Sequence, residues 1–461
     1  MLPKEVVSKV LSQALKSGGD FAEIFVEDTI NNNIILTDGK VDNIVSGRDY
    51  GIGIRIFKGF RSVYAYTNES SLSSLINVAK KAAYALGEIN DELDINLNLY
   101  ERINNNIHPI VYVPASIESS RKIGKMREAY NSAKSYNNEI SQVSVTYMDK
   151  DQKVFIANSE GLYTQDRRIW TRLGIRSVAS NGVENQLGGE NPGRMMGFEM
   201  FDTINVEHYG KKASEAAVTM LHANYCPAGK MMVAIENGFG GVIFHEACGH
   251  SLEATSVAKG NSVFCNKIGQ QIASTKVTAI DDGTLPNLWG SLNIDDEGIE
   301  TKKKVLIENG ILKSYMVDKL NARRMKMEPT GSGRRESYKY APTSRMTNTY
   351  IANGDDKNED IIKSIEYGLY AKKMGGGSVN PITGDFNFAV AEGYLIRNGK
   401  ISEAVRGGSL IGKGSDILMN IDMVGQNLDH GQGMCGSISG SVPTNVGQPL
   451  IRVKQMTVGG R

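Results

Sequence analysis

The sequence predicts an α+β chain of two domains, an N-terminal layered α/β domain over residues 1–224 and a strand-rich domain over 225–461 built around one functional helix. Three observations lead there. At 461 residues the chain exceeds what one ordinary core fills. Strand patterns come in runs with helical stripes between them, unlike the strict alternation of a wound parallel sheet. A short break, Tyr225-Cys226-Pro227-Ala228-Gly229, separates the two halves.

Taken in order, Val6, Val7, Val10, Leu11, Ala14 and Leu15 form a helical stripe interrupted by Lys and Ser, which marks an amphipathic surface helix and not a signal peptide. Asp38-Gly39 between Ile34-Ile35-Leu36 and 41–45 is a hairpin signal, and 51–66 continues in strand pattern. Leu72, Leu75, Ile76, Ala79, Ala82, Ala83 and Leu86 share one helical face, capped by Ser70 or Ser71. The Asn-rich segment 90–106 is a connection, and a second helix runs over 116–136. Strands follow at 139–147, 152–157 and 162–180. A long polar loop is expected at 182–197 and a helix at 206–222. In the second half 231–235 is a short strand, and Gly238 to Gly241 lead into the functional helix. Asn309-Gly310 and Asn398-Gly399 mark two more hairpins, joining 305–307 to 311–317 and 394–396 to 400–401.

Composition narrows the function classes. Lys and Arg number 52 against 51 acidic residues, a net charge of +1, so no basic field points to nucleic acid. No apolar run approaches 18 residues, which argues against a membrane span. Cys226, Cys248, Cys265 and Cys435 form no paired framework, as expected of a chain in a reducing, cytoplasmic compartment.

The chemistry concentrates in His245-Glu246-Ala247-Cys248-Gly249-His250-Ser251-Leu252-Glu253. Two neutral imidazoles can hold Zn²⁺ and leave a position for water, whose proton a neighbouring Glu can take. On a regular helix a four-residue step returns to within roughly 40° of the same face, but the five-residue step from His245 to His250 lands about 140° away. Both reach one metal only if the helix is overwound or bulged between them, and Gly249 stands where a π-bulge would be least costly. A catalytic zinc usually takes a third protein ligand, for which Cys248, Glu253 and Cys435 are comparable candidates on chemistry alone.

This region resembles the TldD/PmbA family of metallopeptidases, on the metal-bearing, TldD-like side. The matching segments include 245–253, Asp281-Asp282-Gly283-Thr284, Ile294-Asp295-Asp296-Glu297-Gly298, 330–338, Arg345-Met346-Thr347-Asn348-Thr349, Gly375-Gly376-Gly377, Met434-Cys435-Gly436 and Val446-Gly447-Gln448-Pro449. The likeness is strong from about residue 230 onward and weaker before it. Departures sit close by: Ser437 stands where TldD-like members have Lys, and Ala254-Thr255 where they have Gly-Asp. The resemblance implies His245, His250 and Cys435 as zinc ligands and Glu246 as general base. It also implies unfolded or flexible peptides as substrates, and a homodimer or a heterodimer with a related subunit enclosing the active site. An extended peptide would then pair with an exposed strand edge.

For the oxyanion of such a hydrolysis the sequence offers Arg334, Arg335, Tyr338 and Arg345 beside the loop at 331–333. The carboxylates of 281–282 and 295–297 fit no calcium loop and read as solvated or substrate-facing. Asp429-His430 is a candidate carboxylate–imidazole pair orienting a ligand. The loop at 375–377 lacks the Lys and Ser/Thr of a nucleotide loop, so it reads as a tight turn or a close approach. Two rival functions remain: a regulatory partner of the DNA gyrase modulator type, and a structural zinc protein. The first has no use for a base beside two ligands, and the second usually takes four protein ligands.

Overall fold

The computed structural model describes residues 2–93, 95–380 and 383–461. Its first half is one sheet, antiparallel except where Tyr100–Arg102 joins its edge in parallel, with helices on one face. Four long strands form the middle, in the order Lys40–Lys58, Phe21–Thr37, Ile140–Asn158 and Leu162–Ser180, with Arg61–Thr67 outside the first. Strict alternation decides what each face meets. Ile24, Val26, Ile34 and Leu36 point to the helices Lys4–Leu15, Leu72–Tyr84, Ser119–Lys134 and Val206–His222. The intervening positions Glu23, Phe25 and Glu27, with Arg55 and Arg168 from neighbouring strands, point to the C-terminal half instead.

The helix termini follow local chemistry. Ser71 Oγ accepts from the Ser74 amide at 3.3 Å, and Asn205 Oδ1 accepts from the His208 amide at 3.0 Å, each capping its helix. The turn at Asp38-Gly39 has φ of 46° and 80°, and Asn309-Gly310 and Asn398-Gly399 repeat that paired positive φ, as tight hairpins require.

Three expectations need correction. The two strands expected over 139–147 and 152–157 are one continuous strand, Ile140–Asn158, because the polar stretch that seemed to interrupt it is paired. Asp149 meets Lys122 at 2.9 Å, and Asp151 meets Arg167 at 2.7 Å. The stretch 182–197 is not a loop throughout: Asn185–Glu190 and Gly193–Arg194 pair with Leu162–Ser180. Gly188 serves packing, since a Cβ there would stand 2.0 Å from the Ala213 carbonyl in the helix above. Finally, the second arm of the hairpin begun by Lys303–Glu308 is only Ile311–Leu312; Tyr315 to Val317 are buried outside strands.

In the second half the strands Tyr367–Val379, Gly229–Ile235, Ile451–Gly459, Ser409–Lys413 and Asp385–Arg397 close into a barrel, because the first also pairs with the last. A second sheet runs in the order Ile311–Leu312, Lys303–Glu308, Ala279–Asp282, Asn348–Ile351, Gly440–Gln448, Asp429–Ser437. The segment 239–252 lies between barrel and sheet, in a core shared by Ile243, Phe244, Ala247, Ile351, Leu418 and Ile451. The fit is close: an added Cβ on Gly241 would sit 2.5 Å from the Gly447 backbone, and one on Gly414 2.1 Å from the Ala247 carbonyl. Any metal ligand on this segment is therefore fixed from both sides.

Candidate metal centre

The segment turns from α to π geometry over His245–Gly249, and the His250 amide donates to the His245 carbonyl five residues back. That single wide turn cancels the angular mismatch of a five-residue spacing. The His245 and His250 rings stand 5.1 Å apart, nearly perpendicular. Gly249 keeps ordinary helical angles, so its freedom at positive φ is not the reason for a glycine there. Room is the reason: a Cβ at this position would lie 2.3 Å from Met346 Sδ.

Cys435 reaches the same point from the strand Asp429–Ser437, the edge of the six-stranded sheet. Its Sγ lies 3.2 Å from His245 Nε2 and 3.4 Å from His250 Nε2. Ligand atoms at zinc–nitrogen and zinc–sulfur bond lengths in a tetrahedron stand about 3.5 Å apart, so the two observed spacings suit such an ion. Two imidazoles and one thiolate make a donor set of the borderline-soft kind that zinc takes. Burial pushes the Cys435 thiol up, but His245 and His250 outweigh it and hold the group well below its ordinary value. Burial likewise works against a charged His250, while Glu253 and Cys435 raise it well above the usual imidazole range. A buried thiolate beside a charged imidazole is the arrangement that a divalent cation would replace.

The other two candidates for a third ligand take different places. Cys248 packs in the core, 3.7 Å from the Gly414 carbonyl, and burial pushes its thiol up, the environment of an inert cysteine. Glu253 lies behind the site, its Oε2 at 3.1 Å from His250 Nδ1, which leaves His250 Nε2 facing Cys435. Glu246 stands at the front. Its Oε2 is 3.6 Å from His250 Nε2, and its side chain is 28 % exposed where Glu253 is 5 % exposed. One carboxylate is open to an incoming molecule and the other is sealed in.

The four residues expected to meet an oxyanion are all occupied elsewhere. Arg335 pairs with Glu23 at 2.7 Å and lies over the Phe25 ring, and the Tyr338 side chain is buried against the N-terminal sheet with Phe25 and Val154. Arg334 is bound to the carbonyls of Met346 and Pro443 at 2.5 and 2.7 Å. Arg345 is nearest the site but fully buried; it donates to the Cys435 carbonyl, to Ser439 Oγ at 3.0 Å and to the Gly440 carbonyl at 2.8 Å. The acidic stretches are not solvated either. Asp281 is buried against Lys304 at 2.9 Å, Asp296 against Arg168 at 2.6 Å and Glu297 against Arg55 at 2.6 Å. Asp429-His430 orients no metal ligand: the imidazole packs against Tyr350, and Asp429 accepts from the next amide. Gly377 is a close approach, as a Cβ there would stand 2.1 Å from the Phe388 ring.

A cleft of about 570 Å³ opens beside the same edge strand, walled by Arg172 and Lys212 from the first half and by Phe239, Lys373, Gly376 and Gly433 from the second. Gly433 is two residues from Cys435, about 7 Å along an extended strand. The strand's edge is partly covered, since Trp289 Nε1 donates to the Gly433 carbonyl at 2.9 Å and Arg345 to that of Cys435.

Three family models match the chain in order: PmbA/TldA metallopeptidase domain 1 over residues 22–86, the central domain over 112–221 and the C-terminal domain over 228–460. The "Metalloprotease TldD homolog" of Buchnera aphidicola (from Acyrthosiphon pisum) is 35% identical over 96% of this chain and 93% of its own length. The "Zinc metalloprotease TldD homolog" of Saccharolobus solfataricus is 26% identical over 98% of this chain and 99% of its own. A crystal structure from Thermotoga maritima, of a protein proposed as a modulator of a DNA gyrase, superposes with a TM-score of 0.81 at 21% identity, covering 99% of this chain and all of that one. The chain belongs to the PmbA/TldD family of metallopeptidases, and its α+β fold is that of the family's solved structures. No helix among the described residues is long and apolar enough to cross a membrane.

Proposed function

We propose that this chain is a zinc-dependent peptidase acting on unfolded or flexible peptides, with His245, His250 and Cys435 as metal ligands and Glu246 as general base. The observation that carries the reading is the convergence of His245, His250 and Cys435, with all three ligand atoms within 4.8 Å and an open carboxylate beside them. When bound, zinc would polarise the scissile carbonyl and make a water acidic enough to ionise near neutral pH. The protein's own part is then specific. His245 and His250 present Nε2, Glu253 fixes His250 through Nδ1, and Cys435 contributes the charge of a thiolate. Glu246 takes the proton of the attacking water and passes it to the leaving amine.

The cleft beside Gly433 is the proposed path for the peptide. A substrate gains little from the metal-bearing strand's edge, because Trp289 and Arg345 already hold two of its carbonyls. Enclosure by a second subunit, either a copy of this chain or a related one, would keep folded proteins out. Light scattering tests that part, and full activity of a monomer at every concentration would sink it. Four free cysteines, three of them buried, suit a cytoplasmic setting.

The decisive experiment incubates wild type and Glu246→Gln with a mixture of unstructured peptides, reads products by mass spectrometry, and measures bound zinc. Cleavage by wild type alone, with zinc in both, is the expected result. Cleavage by both places the active site elsewhere. Cleavage by neither, with zinc bound, points to a missing subunit or a regulatory role.

A further inference from the structure

We propose that Arg345 is the positioning residue that holds the two separate halves of the metal centre in register, acting through the Cys435 backbone on one side and through Glu253 on His250 on the other. The inference rests on the reading of His245, His250 and Cys435 as the metal site. Those halves are far apart in sequence: 185 residues separate His250 from Cys435. Hydrogen bonds local to either segment cannot set their spacing. Arg345 touches both. One nitrogen of its fork donates to the Cys435 carbonyl, and the other donates to Ser439 Oγ at 3.0 Å and to the Gly440 carbonyl at 2.8 Å. These three acceptors span the turn of the hairpin that carries Cys435, so the guanidinium fixes where the thiolate points. Its Nε lies 3.8 Å from Glu253 Oε1, and the second oxygen of that carboxylate meets His250 Nδ1 at 3.1 Å.

Burial makes the charge as important as the bonds. The Arg345 side chain is 0% exposed and that of Glu253 5% exposed, so neither is screened by water. With the metal bound, the thiolate, Glu246 and Glu253 carry three negative charges and a divalent ion cancels two; Arg345 supplies the third. An unbalanced charge buried beside the ligands would otherwise be costly. The planar fork matters too, because a lysine ammonium is a single point and cannot reach the hairpin acceptors and Glu253 together. Groups that orient metal ligands in this way typically control affinity by about 10–100-fold.

The test measures zinc dissociation constants by chelator competition, and the absorption spectrum of the cobalt(II)-loaded protein, for wild type, Arg345→Lys, Arg345→Met and Glu253→Gln. The expected result is zinc binding weakened about 10–100-fold in Arg345→Met, with less loss in Arg345→Lys, and a displaced thiolate-to-cobalt band in both. Arg345→Met combined with Glu253→Gln should lose less than the product of the single effects, since part of the path is shared. Arg335→Met, an equally buried guanidinium outside the site, should lower thermal stability and leave zinc affinity alone. Zinc affinity within twofold of wild type and an unchanged cobalt spectrum in Arg345→Met would overturn the proposal. If the Arg345 variants do not fold, unchanged zinc affinity in Glu253→Gln overturns the His250 arm by itself. A wild type that binds no zinc would instead overturn the metal reading on which it stands.

Discussion

The buried network between the two halves and the metal centre are polar constellations built on opposite principles. Between the N-terminal sheet and the C-terminal half, Glu23, Arg55, Arg168, Arg335, Asp296 and Glu297 form a network in which every charge faces an opposite one. Arg55 meets Glu23 at 2.9 Å and Glu297 at 2.6 Å, and Arg335 and Arg168 close the remainder at 2.7 and 2.6 Å. At the metal centre three donors converge on a common point, and one carboxylate faces outward. Saturation locks two layers together. Donors converging beside an open carboxylate are what a metal-dependent hydrolysis needs. Carboxylates serve both, and what each of them faces tells the two apart.

The comparison breaks first at Glu246. Glu246→Gln should reduce turnover by about 10²–10⁴-fold, some 3–5 kcal/mol of barrier, with zinc content and melting temperature unchanged. A parallel loss of stability would mean that Glu246 belongs to a structural network after all. The converse variant is Arg55→Met. It strands Glu297 in a dry interface, leaves Glu23 with Arg335 as its one guanidinium partner, and should cost about 3–5 kcal/mol of stability in denaturant titration, while zinc affinity per folded molecule stays the same.

A third test uses pH on the structural side. His108 accepts from the Asn287 amide at 3.1 Å in the junction between the halves, and burial lowers its pKa to about 4. A histidine depressed on folding binds fewer protons folded than unfolded, so its contribution is full above about 6.5 and disappears as pH falls toward 4. From pH 7 to 4 that amounts to roughly 3 kcal/mol. His108→Gln should flatten the acid limb of the stability profile, and an unaltered limb would refute the assignment. The smallest effect is expected at Cys248→Ala, about 1 kcal/mol of stability and no change in zinc affinity. Lost zinc in that variant would make Cys248 a ligand and displace Cys435.

The sequence exposed the metal segment because its signal is local. Two histidines bracketing a glutamate at a spacing that an ordinary helix cannot accommodate already demand a distorted turn, and His245–Gly249 supplies it as a π-helical one. The three hairpins were legible for a similar reason, since Asp-Gly and Asn-Gly carry the required φ in their own chemistry. Distances between segments were not legible. From residue types alone Cys248, Glu253 and Cys435 were equals as a third ligand. Asp281, Asp296, Arg334 and Arg335 looked like surface or substrate-facing charges.

The sequence by itself therefore determined what depends on neighbours along the chain: the α+β pattern, the turns, and the strain between His245 and His250. Tertiary structure alone decided that Cys435 arrives beside them, that Glu253 stands behind and Glu246 in front, and that the acidic runs are buried. The physical reason is that a side chain's charge, exposure and ligand capacity are set by what faces it across the fold. In this protein those partners lie tens to hundreds of residues away, as Arg55 and Glu297 do across 242.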